Sequence, residues 1–573
     1  MSGMRRAPDG IASLSNVWDE LWHANVIRFI SDTGIAGALD LGRLINVENH
    51  ANFYYPDAWH ALGALEIPLT GSGVLPVINI WTITGLAMVV PLSAAALAWR
   101  VARGRFSPTA SALAAGSAGA VSGLLPSLPY VEVMTTANPN ALSAGMAGIV
   151  AVLVMSVTGA RRRIPLAVLA LTGIAGVHPS GAVLTVLLLA VWWLFEALWQ
   201  PRRGRLKDLG ALAGVAVLTV LIMIPQIRSV LDEQTAIEAY DFSADSSRLT
   251  SLHDAFTLSN WVTDQFPTPW VLLGIAIAGC VVMLSRASAW MTIMWALMLL
   301  VVCDAIRPFG GITTDLLSTF SNAFYADPRR LQYAVALVVV SLAGTAIGLT
   351  VWGIYRALRR WRRVPRPAAV GALVVLLLAV PVTSSASVST YAEDLGDTAM
   401  ADRAGRMISP ADRGAFQYLA NLPSARETTI FVDPDQGTGW MYALEGLHPL
   451  FTHFAFPEPM GERTWALWDR LNTAGANPRV DAALRELNIR YIVKSPPVYW
   501  PFQTVPRGLT DLDGAPGLER IYFNGETRIY EVTAWEPPQP GEKRYGWDPL
   551  ADRSDAEPWH GPPEVLPPWA ERD

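Results

Sequence analysis

The sequence predicts a polytopic α-helical membrane protein of about ten visible spans, one more being expected upstream, with a C-terminal extracytoplasmic α/β domain. Two observations carry this. Of the 573 residues 51% are hydrophobic and only 16% charged, where a soluble chain carries about a quarter charged residues, and the mean hydropathy is +0.30. The apolar runs also crowd into residues 77–386, while 387–573 read as soluble. The net charge of −6 argues against nucleic-acid binding, which wants a basic face. Cys280 and Cys303, the only cysteines, both fall inside apolar runs, which excludes a disulfide framework and a cysteine zinc site.

A spanning helix needs about 20 mostly apolar residues. The spans expected are 77–99, 108–126, 141–159, 164–177, 181–199, 209–225, 269–285, 288–304, 332–354 and 368–386. The fourth is short, and Pro91 is expected to kink the first. Basic loops stay in the cytoplasm, and every second loop here is basic: Arg100, Arg103 and Arg105; Arg161, Arg162 and Arg163; Arg202, Arg203, Arg205 and Lys207; Arg286; then six arginines from Arg356 to Arg366. The loops between them and the tail therefore lie outside. That sidedness also places residues 1–76 outside, which is why an upstream span is expected to carry them across. The resulting division is a first outer loop (1–76), a helical membrane domain (77–386), an α/β domain (387–536) and a Pro- and Trp-rich end (537–573), expected to be loosely ordered.

Several outer segments carry chemistry. Residues 18–34 pattern as an amphipathic helix on the membrane surface, with Asp19 and His23 spaced i,i+4 and Glu20 and His23 i,i+3 on one face. A carboxylate beside a histidine suits deprotonation of a sugar hydroxyl or a divalent metal; a merely solvated polar face explains the same pattern. Phe53-Tyr54-Tyr55-Pro56-Asp57-Ala58-Trp59-His60 suits an interfacial aromatic belt or stacking on sugar rings. His178 ends the short fourth span, where an ionisable residue at membrane depth is a site candidate. Pro126, Pro129 and Glu132 sit in another short outer loop. Arg329 and Arg330 run against the positive-inside tendency; a forked grip on phosphate competes with headgroup anchoring or a salt bridge to Asp327. In the tail, strands are expected at 428–433 and 490–494, helices near 439–444 and 480–488, and a hairpin around Asn524-Gly525. Asp433–Trp440 reads as a strand–helix turn, with glycan binding as the alternative.

The combination Asp19…His23…Arg28…Thr33-Gly34, Tyr55-Pro56…Trp59-His60, His178-Pro179, Tyr325…Asp327…Arg329 and Asp433…Gly437…Trp440 resembles an actinobacterial family of multi-pass membrane proteins. Through that family it resembles the GT-C superfamily of polyprenyl-phosphate-sugar-dependent glycosyltransferases. The resemblance implies an inverting transferase of the plasma membrane, with Asp19 as general base and Glu20 and His23 as its neighbours. Arg329 and Arg330 would then neutralise the carrier phosphate, beside Trp59, His60, His178, Tyr325 and Asp327. It also implies a polyprenyl-phosphate-linked sugar donor, a cell-envelope glycan or protein acceptor, and the upstream span. The rival readings are a transporter or flippase of lipid-linked glycan, which would want charges along several mid-membrane helices or repeated halves, and a non-catalytic envelope-assembly protein.

Overall fold

The structure, a computed structural model, describes residues 9–15, 18–50, 53–125, 138–232, 243–260, 263, 266–360, 371, 407–453, 460–496, 505–553 and 558–567. The expected tenth span and the segment holding Pro126, Pro129 and Glu132 lie outside the described residues. The chain forms two compact units. One holds residues 80–397 with 1–6; the other joins 7–79 to 398–573.

In chain order the helices are α1 (Trp18–Thr33), α2 (Ala58–Thr70), α3 (Val74–Ala102), α4 (Pro108–Val121), α5 (Asn138–Met155), α6 (Ile164–Val177), α7 (Pro179–Trp192), α8 (Arg205–Asp232), α9 (Arg248–Thr257), α10 (Trp270–Leu284), α11 (Trp290–Ile306), α12 (Gly311–Ser321) and α13 (Pro328–Arg360). In the tail follow α14 (Pro410–Ala420), α15 (Trp440–Glu445), α16 (Glu462–Arg470) and α17 (Pro478–Glu486).

Helices occupy all nine expected spans that are described, and they differ in length. Among the described residues five helices are long and apolar enough to cross a membrane: α3, α5, α7, α8 and α13, with α5 and α7 extended by a closing turn. A sixth results only if α11 and α12, bent by 104°, count as one span. The expected spans at 108–126, 164–177 and 269–285 are helices of 14, 14 and 15 residues, or roughly 21–23 Å at 1.5 Å per residue. Local chemistry shortens two of them. α4 tightens into a 3₁₀ turn at Ser122–Leu124, and α6 stops because Pro179 disfavours helical backbone at the residue before it, leaving His178 extended (φ −167°, ψ 139°). α3 runs through Pro91 as one helix.

The helical unit is built around α13, whose most apolar stretch is 83% buried. Small residues let it approach its neighbours closely. A Cβ at Gly344 or Gly348 would strike the backbone of α4 at Ala118 and Ala114, and one at Gly279 of α10 would strike the Leu342 carbonyl.

The ends of this bundle differ sharply. Glu196, in the π turn that closes α7, takes Arg100 at 3.0 Å and Arg105 at 2.9 Å, and accepts from Ser288 at 3.1 Å. Arg105 also donates to the Arg286 carbonyl at 3.3 Å, and Arg203 to that of Val157 at 2.7 Å. The basic loops after α3, α5, α7 and α10 therefore meet at one end. His178 lies at the start of α7, whose 19 residues through Ala197 extend about 28 Å, close to the thickness of a bilayer core.

The second unit contains a five-stranded sheet of β1 (Thr429–Phe431), β2 (His448–Pro449), β3 (Ile489–Lys494), β4 (Leu518–Phe523) and β5 (Arg528–Val532), in the order β2-β1-β3-β5-β4. β1 is parallel to β2 and β3, whereas β5 is antiparallel to β3 and β4. The β4–β5 hairpin turns at Asn524-Gly525, where Gly525 takes φ +98°, a conformation cheap only for glycine. Residues 7–79 fold onto this sheet domain through buried polar side chains. Asn25 donates to the carbonyls of Gly439 at 3.1 Å and Thr452 at 2.7 Å, and accepts from Ala443 N at 3.1 Å. Glu48 accepts from Arg463, from Thr464 N at 2.9 Å and from Thr464 Oγ1 at 2.6 Å. The Pro- and Trp-rich end is docked at the described Trp547 and Arg553: Trp547 stacks on His448 at 4.8 Å, and buried Arg553 donates to the carbonyls of Val47 and Glu48.

Candidate active site

The expected site residues fall into one group in each unit. In the first, α1 begins with Asp19 and Glu20, acids that suit the positive end of the helix dipole. The helix is not the surface element its polarity pattern suggests. Every residue from Glu20 to Ile27 is buried, His23 and Asn25 completely, and Asp19 is half-buried. The polar face meets protein instead of water, because its side chains find fixed partners there. His23 Nδ1 and His60 Nε2 stand 2.9 Å apart, with the Trp59 ring 5.7 Å from His23 and the Tyr55 ring 5.7 Å from His60. Full burial pushes His60 down to about 3, against a smaller opposing pull from the Pro56 carbonyl, so this imidazole is neutral at physiological pH. Phe53 and Tyr55 stack 6.1 Å apart and both meet the edge of Trp22, forming one aromatic block. Asp57, ahead of α2, is raised to about 6 by burial.

The Asp433–Trp440 segment is a strand–helix turn. Asp433 accepts from Asp435 N at 3.0 Å, Gly437 turns the chain at φ +69°, and Trp440 starts α15. Asp433 is 1% exposed, and burial raises it to about 7, helped by the charge of Asp435. Among the described residues no three His, Cys, Asp or Glu side chains are grouped to hold a metal ion, so a metal between Asp19 and His23 would lack a third ligand of these types.

The second group lies in the helical unit. Ahead of α13 the chain turns through Tyr325 (φ +58°) and Ala326 (φ +51°), two left-handed non-glycine residues that each cost on the order of 1–3 kcal/mol. The turn is held by Tyr325 N to Asn322 O and Ala326 N to Ser321 O, both 2.9 Å. It delivers Asp327, 1% exposed, to cap α13 through Arg329 N at 2.9 Å. The Arg329 side chain forks onto the same carboxylate, with Nε at 3.0 and 3.1 Å and Nη2 at 2.5 Å. The salt-bridge alternative thus accounts for Arg329. Arg330 is different: its guanidinium lies 4.8 Å over the Tyr325 ring and only 3.7 Å from Asp327. The His178 ring is 6.2 Å from that of Tyr325. His178 Nδ1 caps α7, 2.9 Å from Ser180 Oγ and 3.3 Å from Ser180 N, and Ser180 Oγ is 3.3 Å from Ser143 Oγ.

Sequence reasoning missed Ser143, Ser180, Asn25 and Glu48. Only the serines carried a usable signal: His-Pro-Ser at a helix start brings an N–H of the first turn to the capping side chain.

Among solved structures, one similarity at 14% identity shows a shared fold. ArnT from Cupriavidus metallidurans bound to undecaprenyl phosphate is 14% identical with a TM-score of 0.51, over 92% of this chain and 96% of that one. The Archaeoglobus fulgidus oligosaccharyltransferase tethered to an acceptor peptide is 12% identical with a TM-score of 0.47, over 84% of this chain; the chain spans 66% of that protein's length. No curated protein matches. Residues 3–534 match DUF6541, and the chain belongs to this family of unknown function.

Proposed function

We propose that the protein is a membrane glycosyltransferase of the GT-C kind, moving a sugar from a polyprenyl-phosphate carrier to a cell-envelope glycan or protein acceptor. The observation that carries the reading is the Arg330–Tyr325–His178 group, set at the end of the bundle away from the arginine-rich loops. A cation braced on an aromatic ring beside a histidine suits a phosphate at the bilayer boundary. Support also comes from the fold shared with a protein bound to undecaprenyl phosphate, although fold alone does not fix function.

In this reading the basic end is cytoplasmic, and the sheet-bearing unit is extracytoplasmic. Asp19 takes the proton of the acceptor hydroxyl, whose oxygen attacks the anomeric carbon. The bond from that carbon to the phosphate oxygen breaks with its electron pair, and the carrier leaves as polyprenyl phosphate. One displacement inverts the anomeric centre. Arg330 and His178 offset the charge growing on the leaving phosphate, while Arg329 braces the turn through Asp327. Glu20 and the His23–His60 pair, backed by Trp59, hold the helix that bears Asp19. The test is transfer from labelled polyprenyl-phosphate sugar in membranes carrying the full chain. Asp19→Asn should lower transfer by roughly 10²–10⁴-fold and leave carrier binding intact; undiminished transfer would remove Asp19 from the mechanism.

A further inference from the structure

We infer that His178 is locked as the tautomer with its proton on Nε2, and so serves as a fixed hydrogen-bond donor to a phosphoryl oxygen beside Arg330. The inference rests on the carrier-phosphate reading for its ligand, but its first half stands on hydrogen bonds alone. Ser180 N lies 3.3 Å from His178 Nδ1, and a backbone N–H can only donate. Nδ1 must therefore present its lone pair. Pro179 between them has no N–H, which makes Ser180 the first residue of α7 able to supply one.

The hydroxyl of Ser180 agrees. Ser143 Oγ spends its proton on the Asn140 carbonyl at 3.1 Å, so it has none to give to Ser180 Oγ, 3.3 Å away. His178 Nδ1 is nearer to Ser180 Oγ, at 2.9 Å, and wins the Ser180 proton. Both donors thus aim at Nδ1, which leaves the ring proton on Nε2. The residues fixing this choice are themselves buried: Ser143 and Ser180 are fully so, and His178 is 5% exposed. Which ring nitrogen carries the proton is set by the bond the other one makes, and here the fold makes that bond.

The experiment uses the full chain in lipid nanodiscs. With ¹⁵N-histidine labelling, the His178 signals are assigned by their loss in His178→Asn or, should that variant not fold, in His178→Asp; both side chains cap helices well. The expected result is an unprotonated Nδ1 and a protonated Nε2. His178→Asn keeps the cap but loses the donor, so it should hold the thermal midpoint while weakening undecaprenyl phosphate binding about tenfold, the scale of one hydrogen bond to a charged group. A protonated Nδ1, or averaging between tautomers, overturns the inference whatever the binding shows. Weaker binding in Arg330→Ala with none lost in His178→Asn overturns the donor role and spares the carrier-phosphate reading. Unchanged binding in both variants overturns that reading as well.

Discussion

Two adjacent arginines in the first turn of α13 look interchangeable in the sequence and are not. Arg329 is 7% exposed and forks onto Asp327, which is 1% exposed. Removing one partner of a buried pair strands the other charge, which costs about 3–5 kcal/mol. Arg329→Ala should therefore lower the thermal midpoint sharply. Arg330→Ala, which loses a longer contact with Asp327 and the Tyr325 ring, should lower it less and weaken undecaprenyl phosphate binding about tenfold, as expected for one charged contact; equal melting losses in the two variants would contradict the division of roles. A second residue-scale prediction concerns Asp433, whose carboxyl rises from 3.8 to about 7 on folding. Between those values the native state keeps a proton that the unfolded chain releases, so this group's contribution to stability falls as pH rises from about 4 to 7. Asp433→Asn should match wild type near pH 4 and exceed it at pH 8, by up to about 4 kcal/mol. His60 and His448, lowered to about 3 and about 4, act in the opposite sense, with stability rising as pH climbs toward 6.5. Comparing variant with wild type at each pH isolates Asp433. Residue types were legible at this scale and partners were not. The sequence offers Asp327 and a phosphate as equal claims on Arg329, and only the left-handed turn at Tyr325 and Ala326 decides between them.

Among the elements, α6 was read to the residue because a basic triplet and a proline bound it. α4 was overextended because apolar composition continues past the point where the helix tightens at Ser122. α1 was placed as a helix correctly and given the wrong surroundings. Amphipathic spacing reveals a polar face, but not whether that face meets water or protein, and here Asn25 spends its amide on three backbone groups. Asn25→Ala would remove all three buried bonds, leaving the Gly439 carbonyl only Tyr442 N at 3.3 Å, at a cost of about 3 kcal/mol. A lowered unfolding temperature for the sheet-bearing unit should report it. Gly344 and Gly348, spaced four apart in α13, carried a packing signal in the sequence that hydropathy alone passes over. Gly348→Leu should abolish the monodisperse folded protein in size-exclusion chromatography. Gly353→Ala, where an added Cβ meets nothing within 4 Å, should behave as wild type or slightly better.

For the molecule as a whole, alternating arginine loops predicted that one end of the helical bundle would be basic; Glu196 gathers the loops after α3 and α10, and Arg203 ties the loop after α7 to the one after α5. Among the described residues fewer helices are long and apolar enough to cross alone than there are apolar runs, because a run of apolar residues does not reveal where a helix stops. Reporter fusions at residue 420 and after Arg203 should label opposite sides of the membrane; the same side for both would end the proposed topology. Residues 7–79 and 398–573 form a single folded unit, although 318 residues separate them (397 − 79). At roughly 5–20 residues per second, a ribosome needs about 15–60 s to bridge that interval. Throughout that delay Asn25 and Glu48 have no tail to bond. Residues 7–79 must wait, unfinished and vulnerable to proteases, until residues 398–573 emerge, so a premature stop codon in that later stretch would also unmake the earlier one.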